Sequence, residues 1–310
     1  MFAKLRALGA FGVVAATSIY LTPALSWACA CGCGIFDVGT SAMFPTRAGV
    51  MVYLEDDFLD QTQNRNLTSR APAANNADQE IRTHFAKVGG QYMFNRDWGA
   101  RVEVPYWDRY FRTVGDSGPT SFTHGALGDI RVSGVYTGFS EDMSTGLIFG
   151  LKLPTGDSTY ANFDPDTEIG TGSTDLLVGA YHLVKISNDG AWNAFGQINF
   201  QQPVATKASY IPGNEIDAAM GSYYSGWSLG DNARITPILA ALFSFRGSDT
   251  GSLGHPTDSG FRRLLVAPGV EADIAGVRVY GDIEVPLYQY FIGNQLAAPF
   301  GFKVAAMYMF

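Results

Sequence analysis

Cysteine is nearly absent from this chain: 310 residues hold three, at positions 29, 31 and 33, and none elsewhere. Thiol chemistry is therefore confined to one short stretch. With no Cys-x-x-Cys-His, the chain carries no covalent haem of its own. An excess of basic charge is missing too. Lys and Arg number 21 against 29 Asp and Glu, a formal charge of −8, which argues against nucleic acid as a partner. Past the N-terminal leader no stretch approaches 18 consecutive apolar residues, so no membrane-spanning helix is expected. No linker or compositional break divides the chain beyond the leader, and it reads as one domain.

The leader itself is Met1-Phe2-Ala3-Lys4-Leu5-Arg6, an apolar run from Ala7 to Leu21, then Pro23 and the small residues Ser26 and Ala28 around Trp27. A basic start, a short apolar run and small residues form a secretory signal peptide cleaved before Cys29. Its loss removes Lys4 and Arg6 and takes the formal charge to about −10. A lipoprotein signal would want Leu three residues before the cysteine. Ser26 stands there, which disfavours lipidation of Cys29. The expected organisation is a cleaved signal peptide at 1–28, a Cys-rich periplasmic segment at 29–47 that is a candidate plug, and an outer-membrane β-barrel at 48–310.

What the chain has in quantity is alternation. From Gly301 to Phe310, the residues Phe302, Val304, Ala306, Tyr308 and Phe310 form one apolar face, while Lys303 lies on the other. A period of two over ten residues is a strand with one greasy and one charge-tolerant side. Ten residues also suffice for a tilted strand to cross a bilayer. Twelve such segments recur, at 48–58, 81–94, 98–112, 125–139, 143–155, 171–186, 191–204, 216–229, 233–246, 260–274, 276–290 and 298–310. Short connections rich in Asn, Asp and Gly, such as Asn95-Arg96-Asp97 and Asn188-Asp189-Gly190, alternate with long ones at 59–80, 113–124, 156–170, 205–215, 247–259 and 291–297. The fold class is therefore all-β: a transmembrane, antiparallel, up-and-down barrel of about twelve strands, with short periplasmic turns and long external loops. An even strand number puts both termini in the periplasm of a bacterial outer-membrane protein. The terminal Phe310, with Tyr308 before it, resembles the C-terminal signal read by the barrel-assembly machinery.

Charge facing lipid costs about 2–4 kcal/mol at mid-bilayer for Arg or Lys. The expected lumen lining is thus Glu55, Asp57, Lys87, Arg101, Glu103, Arg131, Lys152, Arg278, Asp282, Glu284 and Lys303. Trp98, Tyr106, Tyr110, Tyr136, Trp192, Tyr290 and Tyr308 fall near strand ends, where aromatic girdles belong. Tyr53, Trp107, Phe195 and Tyr288 are expected to line a path for aromatic solutes. A twelve-stranded lumen is narrow enough for side chains to fill much of it, so any pore is small or gated.

Three stretches carry a family likeness. They are Gly128-Asp129-Ile130 with Gly134-Val135-Tyr136, then Gly150-Leu151-Lys152-Leu153-Pro154-Thr155-Gly156-Asp157, then Gly170-Thr171-Gly172-Ser173-Thr174-Asp175 with Gly179-Ala180-Tyr181. Together they resemble the phenol meta-pathway (MetA-type) outer-membrane transporter family. The likeness implies passage of small molecules, aromatic or hydrophobic compounds among them. In physical terms Pro154 stops a strand and Gly156 turns it into an external loop.

Cys29-Ala30-Cys31-Gly32-Cys33-Gly34 stands outside that likeness. Cys29, Cys31 and Cys33, with the freed amine of Cys29, could converge on a soft metal ion such as Cu(I) or Zn. An oxidising periplasm equally allows one disulfide with a thiol left over. Asp157, Asp164, Asp166 and Glu168, around Pro165, form a candidate loop cation site, though their spacing matches no EF-hand. His84, His124, His182 and His255 are scattered and read as ordinary wall or loop residues. No serine–histidine arrangement supports an enzyme. The leading reading is a channel or transporter for small solutes. The alternative is a metal-handling barrel, or one docking a periplasmic redox partner, that acts through its cysteine segment.

Overall fold

The computed structural model describes residues 44–310 apart from 116, 207, 208, 226 and 231. Sixteen strands succeed one another: β1 (Gly49–Gln61), β2 (Gln63–Leu67), β3 (Ser69–Arg70), β4 (Asp78–Met93), β5 (Trp98–Gly115), β6 (Gly118–Leu127), β7 (Arg131–Tyr136) and β8 (Thr145–Lys152). The second half holds β9 (Ser173–Lys185), β10 (Trp192–Thr206), β11 (Glu215–Tyr224), β12 (Trp227–Ser228), β13 (Ala233–Arg246), β14 (Phe261–Ile274), β15 (Val277–Ala297) and β16 (Gly301–Met309). Each consecutive wall strand pairs antiparallel with the next. β16 closes the ring on β1, with Met51 opposite Met309 and Leu59 opposite Gly301.

The result is a closed transmembrane barrel of twelve strands. β6 and β7 are two halves of one stave, since both pair with β5, and β12 prolongs β11 along β13. Joining β16 to β1 removes the two end edges that an open wall would present to lipid, while β6 pairs with β5 alone. All twelve alternating segments of the sequence are staves, and 233–246 coincides with β13.

Alternation sets the two surfaces. On β1, Val50, Val52 and Leu54 point out while Met51, Tyr53, Glu55 and Asp57 point in. On β5, Trp98, Val102 and Tyr106 point out while Glu103 and Arg109 point in. At the short-turn end the outer surface carries ring pairs: Tyr92 with Phe94, Trp98 with Tyr136, Trp192 with Tyr224 and Tyr308 with Phe310, all with centroids within 5.1 Å. Tyr106, Tyr110 and Tyr290 lie toward the long-loop end of their strands.

Several expected loops are partly strand, 59–80 among them, which holds β2, β3 and the outer ends of β1 and β4. Residues 113–124 continue the β5–β6 ladder up to Gly115 opposite Gly118. Residues 291–297 extend β15, which pairs with β2. Beyond the apolar band a strand no longer separates lipid from lumen, so the ladder persists while the alternation fades. Tyr288 is a further correction, because it lies on the outer face, 46 % exposed. The β14 register jumps from Leu265–Pro286 to Leu264–Tyr288, and this bulge shifts the phase of β15 so that Gln289 and Phe291 turn inward instead.

Inside, the barrel is layered. An apolar layer occupies the short-turn half, built from Met51, Tyr53, Ile148, Tyr181, Phe195, Leu242, Met307 and several alanines. A belt of charged side chains lies above it, and a chamber lies above the belt beneath the long loops.

Candidate functional site

The belt begins on β1, where odd-numbered residues face the lumen. Glu55 is 1 % exposed and takes Lys87 Nζ at 3.0 Å and Lys303 Nζ at 3.6 Å. Lys303 also meets Asp57 at 3.3 Å, and Lys87 lies 3.9 Å from Glu103. Tyr53 donates its hydroxyl proton to Glu103 at 2.5 Å, and Tyr280 donates to Asp282 at 2.6 Å. Arg101 donates to Gln91. These groups come from β1, β4, β5, β15 and β16, which are neighbours in the wall, so the register alone brings them together. Buried carboxylates and ammoniums in such numbers are tolerable only when paired.

Across the lumen the three motif stretches converge on one aspartate. The wall stave breaks between β6 and β7, and there Asp129 turns inward. It accepts from the backbone N–H groups of Gly156 (3.0 Å) and Thr171 (2.9 Å) and from the Thr171 hydroxyl (2.8 Å). Lys152 Nζ is 3.5 Å from Asp129 and 2.7 Å from Asp175, and Asp175 also accepts from Ser173 and Gln201. Arg131 donates to the same Gln201 at 3.2 Å. Both feet of the loop between β8 and β9 are thereby pinned to the wall. Gly156 and Gly170 allow it: a Cβ on Gly156 would lie 2.8 Å from the Gly170 Cα.

From these feet the loop swings over the lumen. Arg109 of β5, with no solvent exposure, donates to the carbonyl oxygens of Thr167 and of Glu168 (3.3 Å) and, through Nε, to Thr83 Oγ1 at 3.0 Å. Its guanidinium lies 5.5 Å from the Trp107 ring centroid. His124 bonds Asp157 at 2.8 Å, Tyr160 stacks on His124 at 4.0 Å, and Phe163 meets Phe111 edge-on at 5.7 Å. Another aspartate clamps the opposite loops: Asp249 accepts from Arg246 (2.8 Å), the Tyr210 hydroxyl (2.9 Å) and the Gly213 N–H (2.8 Å).

Between loop and belt lies a chamber with a cavity volume of about 100 Å³, partly open to solvent. Phe85 and Trp107 line one wall, Tyr210 and Arg246 another, Asp57 and Lys87 the floor, and Asp166 and Glu168 the roof. Burial pushes the Glu168 carboxyl up to about 7 against the pull of Arg109, and burial also raises Asp164. The hydrogen bond from His124 holds Asp157 below its ordinary value. The surface therefore offers aromatic faces and both signs of charge within one small volume.

The structure places Glu55, Asp57, Lys87, Arg101, Glu103, Arg131, Lys152, Asp282, Glu284 and Lys303 on the inner face. Arg278 stands at the short-turn mouth, 3.5 Å from Asp273. Asp157, Asp164, Asp166 and Glu168 do not gather, because Asp157 is drawn to His124 while Asp166 and Glu168 face the chamber. Among the described residues no three His, Cys, Asp or Glu side chains are grouped to hold a metal ion. Cys29, Cys31 and Cys33, with their expected metal or disulfide chemistry, lie outside the described residues. Sequence reading did not assign roles to Asp129, Asp175 or Asp249. The first two sit inside the quoted motifs, whereas nothing around Asp249 marks it locally.

Comparison with solved structures yields barrels of the outer-membrane kind. The COG4313 outer membrane channel from Pseudomonas putida F1 aligns with a TM-score of 0.65 and 11% identity over 88% of this chain and 100% of that one. The β domain of the Bordetella autotransporter BrkA gives 0.49 and 12% identity over 85% and 100%. The Ralstonia pickettii toluene transporter TbuX gives 0.43 and 9% identity over 91% and 97%. No protein-family model and no curated protein sequence matches the chain. The first alignment shows a shared fold, and the expected likeness to outer-membrane transporter barrels holds at that level.

Proposed function

We propose that this chain is an outer-membrane channel for small solutes, with its long loops external and both ends of the barrel sequence in the periplasm. One observation carries the reading: a partly open chamber, with a cavity volume of about 100 Å³, lies inside the barrel beneath the long loops and is bounded below by a belt of paired charges. A wall built only for anchorage needs no such cavity, and a structural core would be filled with apolar side chains. Trp107 and Phe85 beside Arg246, Lys87 and Glu168 suit small polar or zwitterionic molecules that carry an aromatic ring. Paired charges of both signs can exchange partners with such a solute as it passes, at little net cost in desolvation.

The reading is of a passage, not of a catalyst. It also assigns the closing strand β16, with Tyr308 in it and Phe310 just after it, to recognition by the barrel-assembly machinery. The test is planar-bilayer recording of the folded protein together with liposome swelling in small zwitterionic and aromatic solutes. Discrete small steps and swelling that falls steeply with solute size are expected. A folded, inserted barrel that gives neither steps nor swelling would remove the channel reading.

A further inference from the structure

The apolar layer beneath the charged belt contains a residue that does not belong to the wall. Phe44 precedes β1, yet it is 1 % exposed and its ring stacks on Tyr181 with centroids 4.3 Å apart and planes 17° from parallel. The chain emerges from the layer through the exposed residues Thr46 and Arg47. The wall is hollowed where the ring sits: Ala219, Ala240, Ala267 and Ala305 face inward from β11, β13, β14 and β16. Two of them, Ala240 and Ala267, are direct cross-strand partners. Larger side chains at these positions would fill the lumen from the wall. Instead the space is left open and closed by a ring from outside the barrel.

We propose that this layer is a binding seat for a neutral aromatic ring and that Phe44 is its tethered resident, displaced when a solute passes. The inference rests on the channel reading and adds a second station to it. The residues that build the layer are aliphatic, aromatic or methionine side chains, with the charged belt at its upper border. This layer therefore selects the ring of a solute, whereas the chamber above selects its polar groups. The tether is suited to release. Arg47 Nη2 donates to the Met309 carbonyl at 3.0 Å at an exposed site, where water replaces the bond readily. An occupant held on its own chain competes with any free ligand, so the measured affinity falls by the fraction of time that the seat is empty.

The experiment is isothermal titration of benzyl alcohol into nanodisc-embedded protein, with cyclohexylmethanol as a non-aromatic probe of similar size and empty nanodiscs subtracted. Phe44→Ala is expected to bind benzyl alcohol at least about tenfold more tightly than the wild type, with a smaller gain for cyclohexylmethanol. Phe44→Ala combined with Tyr181→Leu is expected to lose most of that gain. Each variant is first checked for the heat-modifiable gel mobility of a folded barrel. A folded Phe44→Ala whose affinity stays within twofold of the wild type overturns the proposal, and an equal gain for both probes overturns its aromatic part. Bilayer recordings separate the two readings. A conducting wild type with no affinity change in Phe44→Ala sinks the seat and leaves the channel standing. Tight binding by a variant that never conducts sinks the channel and keeps the seat.

Discussion

Arg109 shows what one side chain does in a lumen. It is wholly buried, and its donors reach two backbone carbonyls at the tip of the β8–β9 loop. Loss of a partner from a buried polar group costs about 1–3 kcal/mol, and here the loss falls on a loop that also leans on ring contacts of Tyr160 and Phe163. Arg109→Gln is expected to speed proteolytic nicking of residues 157–166 at least about tenfold, as about 1.4 kcal/mol of lost restraint per decade implies. The barrel's own melting should barely move, and an unchanged nicking rate would refute the role. Glu168 acts at the same tip with a pH sign. Burial raises its carboxyl from 4.5 to about 7. Its contribution to the closed loop is therefore fully present below 4.5, declines as pH rises between 4.5 and 7, and is lost above about 7. Asp164, also raised by burial, works in the same sense. Asp157, lowered by its bond to His124, favours the closed loop until the pH drops below 3.8, outside that window. Channel conductance is expected to climb from pH 5 to pH 8 and to do so far less in Glu168→Gln. A wild-type profile that is flat, or that falls with pH, would show that the loop is not held in this way.

At the scale of elements, the foot of the β8–β9 loop is a backbone crossing with no room to spare. A Cβ on Gly170 would stand 2.5 Å from the Gly156 carbonyl carbon, and neither strand end can withdraw because Asp129 pins both. Gly170→Ala is thus expected to cost about 1–3 kcal/mol, the usual range for overpacking. It would lower the temperature at which the gel-mobility shift is lost. Gly90→Ala, which meets nothing within 4 Å on the outer face of β4, serves as the neutral control. Equal losses in the two variants would count against a crossing at Gly170. The same barrel shows what a sequence can display. Val277, Val279 and Ile283 against Tyr280, Asp282 and Glu284 announce a stave, because lipid and lumen impose opposite chemistries on adjacent residues. The outward turn of Tyr288 is not legible in the sequence, because a bulge carries no such mark. The burial of Thr167 and Phe163 is invisible in the sequence because the groups they meet, Arg109 and Phe111, lie more than fifty residues away. The motif around Asp129 is legible as a likeness, but its physical purpose, tying a loop inward, emerges only when three distant stretches meet.

For the whole molecule, the layered lumen makes ion selectivity the quantity that integrates its parts. Around the belt Glu55, Asp57, Glu103, Asp282 and Glu284 face Lys87, Arg101 and Lys303, and the chain as a whole carries a formal charge of −8. Close pairing cancels much of this field, so the passage should prefer cations only mildly, more so at low salt, where screening is weak. Lys303 is the most informative residue to change, because it serves both Glu55 and Asp57 from the strand that closes the barrel. Lys303→Met keeps the length of the side chain and removes the charge. Breaking a buried pair by removing one partner typically costs about 3–5 kcal/mol, because the remaining charge is stranded. The variant should therefore melt earlier and, where folded, show a reversal potential in a KCl gradient shifted toward cations. Adding Asp57→Asn should recover part of the lost stability and return the reversal potential toward the wild-type value, since Glu55 keeps Lys87 at 3.0 Å while Asp57 loses the ammonium 3.3 Å away. An anion-selective wild type, or a Lys303→Met channel with unchanged selectivity, would mean that ions do not cross this belt and that the conducting path runs elsewhere in the barrel.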